Sequence, residues 1–335
     1  MKHFLSLLLF VGALCVCLWG LDHLMRRGDG QAKYEAFFDS NDPQAFDVFF
    51  LGTSHVMDAV YPNLLWRDYG FTSYNLGNAA EPMEATYWTL RLAMQYHVPR
   101  VVVIDVCYLD RPQGPAQATN HLFLDELPLT PLKLEAISSL FPKESWAEMI
   151  FPLVLYHHRW TEMMFGHETD MTDCPPFMYG SELRVGRTAP LPFTRITQTL
   201  DIESPGRDAL RRIISLCEEL EIPVALIAIP YPADADAQLS MNSASFIAEE
   251  WNVPFLNLFD VPDLVDFSSD CYDAGSHLNP DGAAKVTAYL GAWLCERFDL
   301  PDHRTDDRYA SWDDALTRFE QAFHAQWLNS EYKLE

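Results

Sequence analysis

Two short stretches of this sequence carry side chains suited to acyl chemistry. The first, Gly52-Thr53-Ser54-His55, ends an apolar run that begins at Phe46. The second lies far downstream and reads Asp273-Ala-Gly-Ser-His277-Leu-Asn-Pro-Asp-Gly282. A serine hydroxyl attacks a carbonyl only once a base takes its proton, and that base needs an acidic partner to fix its tautomer and balance its charge. Ser54, His277 and Asp273 supply such a set, with Asp270 as the alternative acid. Taken alone, Ser54 fits a helix cap at least as well as a nucleophile. The histidine and acid placed just ahead of a second helix tip the reading toward catalysis. Acyl transfer also needs donors for an oxyanion. The Ser54 amide at a helix start is one, and Gly77, which ends another short apolar run, is a second. Asn78 is either a third donor or a turn residue.

These residues need a frame that brings them to one edge. Strands are expected over 47–51, 73–76, 101–105, 223–229 and 255–258, with helices over 82–97, 206–220, 242–251 and from Asn279 onward. Unbroken apolar strands such as Val101-Val-Val-Ile-Asp105, alternating with helices, indicate a parallel sheet buried on both faces. In a doubly wound sheet the carboxyl ends of the strands share one rim, so Ser54 and His277 can meet there. The stretch from 106 to 200 is too long for a simple crossover and carries apolar and aromatic runs, so it is expected to fold as a helical insertion after strand 3. Trp312, Leu316, Phe319, Phe323 and Trp327 stand at helical spacing in a C-terminal tail, 301–335, that should pack on its own domain.

Composition narrows the function classes. The formal net charge of −25 opposes binding to nucleic acid phosphates, and no nucleic acid partner is expected. Phe4 to Leu21 is uninterruptedly apolar, with no small-x-small cleavage site after it, and reads as an uncleaved anchor over 1–27. A polar tether over 28–45 follows, expected to begin with some helix, then the α/β domain over 46–300. Lys2 on one side and Arg26-Arg27 on the other do not orient the anchor. Of seven cysteines, two lie in the anchor, and the other five are spaced too widely to read as a disulfide framework or a zinc site. No metal and no cofactor is expected. His157 and His158 are neighbours that point about 100° apart on a helix, which suits a structural or gating role better than a metal. His55 is expected at the surface or in a helix cap. Glu81, Glu84, Asp105 and Asp110 are acidic residues that could line the pocket, most of them simply solvated.

Gly52-Thr-Ser54 after a strand, Asn75-Leu-Gly77 after the next, and Asp273 with Ser276-His277-Leu-Asn-Pro-Asp-Gly282 resemble the SGNH/GDSL hydrolase superfamily. The likeness is greatest to its membrane-anchored branch, which includes the teichoic acid D-alanine transfer and alginate O-acetylation proteins, and it covers roughly 46–298. It implies a three-layer, flavodoxin-like sheet of about five strands, Ser54 as nucleophile, His277 as base, an aspartate partner, and an oxyanion contribution from Gly77. Two departures stand out. The superfamily spaces its acid and base as Asp-x-x-His, whereas Asp273 is one residue further back. It also ends its third strand in Gly-x-Asn, where this chain has Asp105-Val-Cys107-Tyr108. The resemblance implies an extracytoplasmic serine esterase or O-acyltransferase acting on a cell-envelope polysaccharide or polyol, beside a membrane-bound O-acyltransferase that supplies the acyl group. The alternative is a catalytically inactive glycan-binding or scaffold protein of the same fold.

Overall fold

Five short runs become the strands of one sheet, and the three central ones, Val48–Leu51, Val101–Asp105 and Val224–Ala228, are mainly apolar and buried on both faces. The computed structural model describes residues 2–25, 28–39, 46–111, 127–151, 174–188, 192–273 and 276–325, together with 124, 153, 154, 157 and 160. The strands are β1 (Val48–Leu51), β2 (Ser73–Asn75), β3 (Val101–Asp105), β4 (Val224–Ala228) and β5 (Phe255–Asn257). They pair in parallel in the order β2-β1-β3-β4-β5. That is a doubly wound order in which the chain reverses its direction of travel at β1 and β3, and a crevice opens beyond their carboxyl ends.

The helices of this unit are α2 (Gly28–Asp39), α3 (Ser54–Ala59), α4 (Pro62–Tyr69), α5 (Met83–Ala93), α8 (Arg207–Glu219), α9 (Ala235–Trp251), α10 (Pro280–Arg297) and α11 (Ala310–Phe323). Val48, Phe50, Val101, Val103, Ala225 and Ile227 share one core with Leu64 and Leu65 of α4, Val286, Leu290 and Leu294 of α10, and Phe319 of α11. Side chains alternate along a strand, so Phe49, Leu51, Val102, Ile104 and Leu226 face the other way, where α5, α8 and α9 pack. The C-terminal tail thus closes on its own domain, with Trp312 buried and the Trp66 indole donating to Asp313 Oδ1 at 2.9 Å. Trp327 lies outside the described residues.

The chain divides into two compact units, Met1–Gln31 with His121–Thr172, and Ala32–Asn120 with Asp173–Glu335. The first contains α1 (Lys2–Met25), α6 (Pro131–Leu140) and α7 (Trp146–Ile150). Within it, His3–Asp22 is long and apolar enough to cross a membrane, and its described side chains are exposed. Thr130 caps α6 by accepting from Lys133 N, and Leu153 N–H donates to Asp22 Oδ1 at 2.7 Å. Of 156–160, only His157 and Trp160 fall among the described residues, and the His157 ring bonds the Val154 carbonyl at 2.7 Å.

Three boundaries differ from the sequence reading. The inserted unit is narrower than 106–200, because 174–182 lies along the sheet: Asn75 N–H donates to the Tyr179 carbonyl and Glu182 N–H to that of Met57. The stretch read as a tether carries α2, whose Lys33, Tyr34 and Phe37 are buried. Tyr34, Phe37 and Phe38 recur at i, i+3 and i+4, and Phe37 packs edge-on against Tyr74 and His97. Lastly, α9 begins at Ala235, ahead of the expected 242, because the Asp234 side chain caps it by accepting from Ala237 N at 2.8 Å.

Candidate active site

Ser54 is the first residue of α3, and Thr53 before it is the N-cap, its hydroxyl accepting from His55 N–H. Capping therefore falls to Thr53, and the Ser54 hydroxyl is left for other work. Gly52 makes the sharp turn out of β1 with a φ of +145°, and a Cβ there would stand 2.7 Å from Asp105 Cβ. No other residue fits that passage.

The Ser54 Oγ lies 2.8 Å from His277 Nε2. On the far side of the ring, Nδ1 lies 2.7 Å from Asp273 Oδ2. Asp273 Oδ1 accepts the backbone N–H groups of Ser276 at 2.9 Å and His277 at 3.0 Å. Burial raises the Asp273 carboxyl, but its hydrogen bonds from His277 and Ser276 and the nearby imidazole charge outweigh that and hold it below the usual carboxylate value. An ionised Asp273 accepts from Nδ1–H, which leaves the Nε2 lone pair to accept the Ser54 hydroxyl proton. The extra residue between acid and base is absorbed by the loop: Cys271 bridges Leu278, and Tyr272 N–H donates to the His277 carbonyl at 3.1 Å. Asn279 then caps α10 through Asp281 and Gly282 N–H.

Asp270, the alternative acid, is occupied elsewhere. Its carboxylate receives Lys285 Nζ at 2.7 and 2.9 Å, and Asp266 N–H at 2.8 Å. It braces the loop that presents Asp273.

The expected oxyanion donors are less available. Gly77 approaches the turn that carries Ser54 closely, since a Cβ there would meet the Thr53 carbonyl at 2.9 Å and Met57 N at 3.0 Å. Yet its N–H donates to Asn75 Oδ1 at 3.0 Å. Asn78 spends its backbone N–H on the Gly52 carbonyl and its side-chain NH2 on the Leu76 carbonyl and Glu81 Oε2. Its carbonyl oxygen accepts from Tyr34 OH at 2.7 Å and Lys33 Nζ at 3.4 Å. Asn78 is thus a structural node and not an oxyanion donor in this arrangement, because each polar group faces a buried partner. The Ser54 amide, at the open end of α3, has no acceptor among the described residues.

Other site residues escape a reading by motif. Asn75 Nδ2 donates to the Val56 and Val60 carbonyls at 2.8 and 2.9 Å, tying α3 to the end of β2. Lys33 Nζ donates to the Gly77 carbonyl from α2. Glu81 is buried, and desolvation raises its carboxyl to about 7 against the pull of hydrogen bonds from Asn78 and Thr89 and the charge of Lys33. Glu84 is a surface partner of Arg212 at 2.6 Å. His55 is buried where a surface position was expected, because it turns inward under the loop after β3. Its ring packs against Tyr231 at 4.3 Å and against His277 at 5.0 Å, centroid to centroid. Burial first, and the charge of His277 second, push the His55 imidazole down to about 3, so it stays neutral. The periodicity of Tyr34 and Phe37 was the one signal that could have flagged α2.

No protein-family model matches this chain, and a search of curated proteins finds no match.

Proposed function

We propose that this protein is an extracytoplasmic serine esterase or O-acyltransferase of the SGNH/GDSL type, held at a membrane by its N-terminal helix and acting on a cell-envelope polymer. The reading rests on one observation, the unbroken chain of hydrogen bonds from Ser54 Oγ through both nitrogens of His277 to Asp273. The exposed apolar helix at the N-terminus supports the anchor.

In this reaction His277 Nε2 takes the Ser54 proton as Oγ attacks the acyl carbon, and the resulting imidazolium is balanced by Asp273. The leaving oxygen receives that proton from His277, which leaves an acyl-Ser54 ester. A sugar or polyol hydroxyl, or water, then gives its proton to His277 as its oxygen attacks the acyl carbon, and His277 returns that proton to Ser54 Oγ as the acyl–Oγ bond breaks. The acyl donor, an acceptor polymer and a membrane-bound O-acyltransferase are the partners this scheme requires. Because the Ser54 amide is, of the three expected donors, the one without a competing acceptor among the described residues, full oxyanion stabilisation requires the Gly77 N–H to turn from Asn75 to the substrate.

A fluorophosphonate probe tests the scheme. Labelling of the wild-type protein that disappears in Ser54→Ala supports it. A well-folded protein that resists the probe would instead favour the reading suggested by the committed Gly77 and Asn78 donors, a catalytically inactive glycan-binding scaffold.

A further inference from the structure

Behind the His55 ring lies a group of side chains that the reaction of Ser54 does not use. One ring nitrogen of His55, one carboxylate oxygen of Asp105 and the Cys107 sulfur lie within 4.8 Å of one another. His55 is the second residue of α3, which follows β1, and Asp105 ends β3 with Cys107 two residues on, so the ends of two paired strands bring the three together. All three residues are buried, at 5 %, 1 % and 1 % exposure. The Cys107 sulfur is 3.4 Å from His55 Nδ1. Tetrahedral bonds of about 2.3 Å to sulfur and about 2.0 Å to nitrogen put those two donors roughly 3.5 Å apart. The pair therefore already stands at ligand spacing.

A second observation concerns what these groups lack. Asp105 Oδ2 is buried with no hydrogen-bond partner among the described residues. A carboxylate oxygen left in that state is costly, since burial has removed its water and nothing replaces it. A cation offsets that cost for the carboxylate. Sulfur and imidazole donors select zinc-like ions over magnesium or calcium. The Thr53 hydroxyl, 2.9 Å from His55 Nδ1, is a further oxygen beside the cluster, and metal binding would replace that hydrogen bond.

We propose that His55, Asp105 and Cys107 bind one divalent ion of the zinc class, joining the ends of β1 and β3 directly behind the nucleophile loop. On binding, the Cys107 thiol gives up its proton to solvent and Asp105 coordinates as the carboxylate. The site does not depend on acyl transfer, since it would brace the Gly52–His55 turn whether or not Ser54 is ever acylated.

The test uses the full chain in detergent, purified with a histidine-free tag, stripped with a chelator and titrated with Co2+ as a coloured stand-in for zinc. The expected result is one bound ion per chain, with a thiolate-to-cobalt absorption band that added Zn2+ erases. Zn2+ should also raise the melting temperature of the stripped protein. Cys107→Ser should remove the band and weaken binding by about 100-fold or more, and Asp105→Asn by about 10-fold or more, whereas Cys217→Ser, at a buried cysteine in α8, should change neither. Stripped wild-type protein that still melts cooperatively but shows no band and takes up less than about a tenth of an equivalent of Co2+ overturns the proposal. So does undiminished affinity in a folded Cys107→Ser variant. If that variant fails to fold, the wild-type titration decides alone.

Discussion

On one side of Ser54, the ring nitrogens of His277 serve only Ser54 and Asp273; on the other side, Gly77 and Asn78 have their polar groups already in use. For the proposed reaction, the groups that would move the proton are already in contact in the resting protein, whereas stabilising an oxyanion would require a hydrogen bond to be exchanged. Such a division suits an enzyme whose site closes only around its proper substrate, since hydrogen bonds in free enzymes often tighten in the complex. It also means that the two sides answer to mutation differently.

The largest effects belong to the proton-transfer side. Ser54→Ala and His277→Gln should lower turnover of a short-chain nitrophenyl ester by roughly four orders of magnitude or more, with melting temperatures nearly unchanged. Retained turnover in His277→Gln would remove that residue from the mechanism. Asp273→Asn should cost about 10³–10⁴-fold, because the amide stabilises the wrong imidazole tautomer. Asp270→Asn gives the matching contrast. It should leave turnover within about threefold while reducing stability by about 1–3 kcal/mol, as Lys285 and the Asp266 amide lose their acceptor. The opposite pattern, read from kinetics and urea melts of the two variants, would make Asp270 the acid.

Effects on the other side should be mainly structural. Asn78→Ala takes one partner each from Tyr34, Lys33 and Glu81 and should cost about 1–3 kcal/mol, with turnover reduced less than tenfold. A loss of about 10²–10³-fold at unchanged stability would instead identify Asn78 as an oxyanion donor. The smallest effect is a pH dependence. Burial raises Glu81 to about 7, so between the unfolded carboxyl value and pH 7 the folded state binds more protons than the unfolded one. Stability conferred by protonated Glu81 is therefore present at pH 5 and lost as the pH rises through 7, by at most about 3 kcal/mol. Glu81→Gln removes this slope, so the stability gap between wild type and variant should shift in favour of the variant from pH 5 to 8. A constant gap would mean that Glu81 is ionised throughout, balanced by Lys33.

The parts of this molecule legible in its sequence are those governed by local rules. Apolar runs, a Gly-x-Ser turn and an Asp/His pair ahead of an Asn-Pro cap gave the strands and the residues now found in one hydrogen-bonded chain. What stayed hidden depends on partners distant along the chain. Thr53 and Ser54 are equal candidates for a cap until the hydroxyls are seen to divide the tasks. His55 looks like a surface residue until Tyr231 and Cys107, from two later loops, enclose it. Lys33, a charged residue in a polar stretch, carries no hint of burial, because its acceptors, on Met57, Gly77 and Asn78, lie 24 to 45 positions away. The first turns of α9 were missed since Ala-Asp-Ala there lacks an apolar stripe, although the Asp234 cap was visible.

The burial of Lys33, Tyr34 and Phe37 has a practical corollary for anyone trimming the chain to a soluble form. A cut placed after the first helix keeps these residues, whereas one placed at residue 40 discards them. The shorter product would lose the cation that holds the Gly77 carbonyl and the aromatic cover over Tyr74 and His97. It would be a damaged protein, and its silence in an assay would say nothing about the intact one.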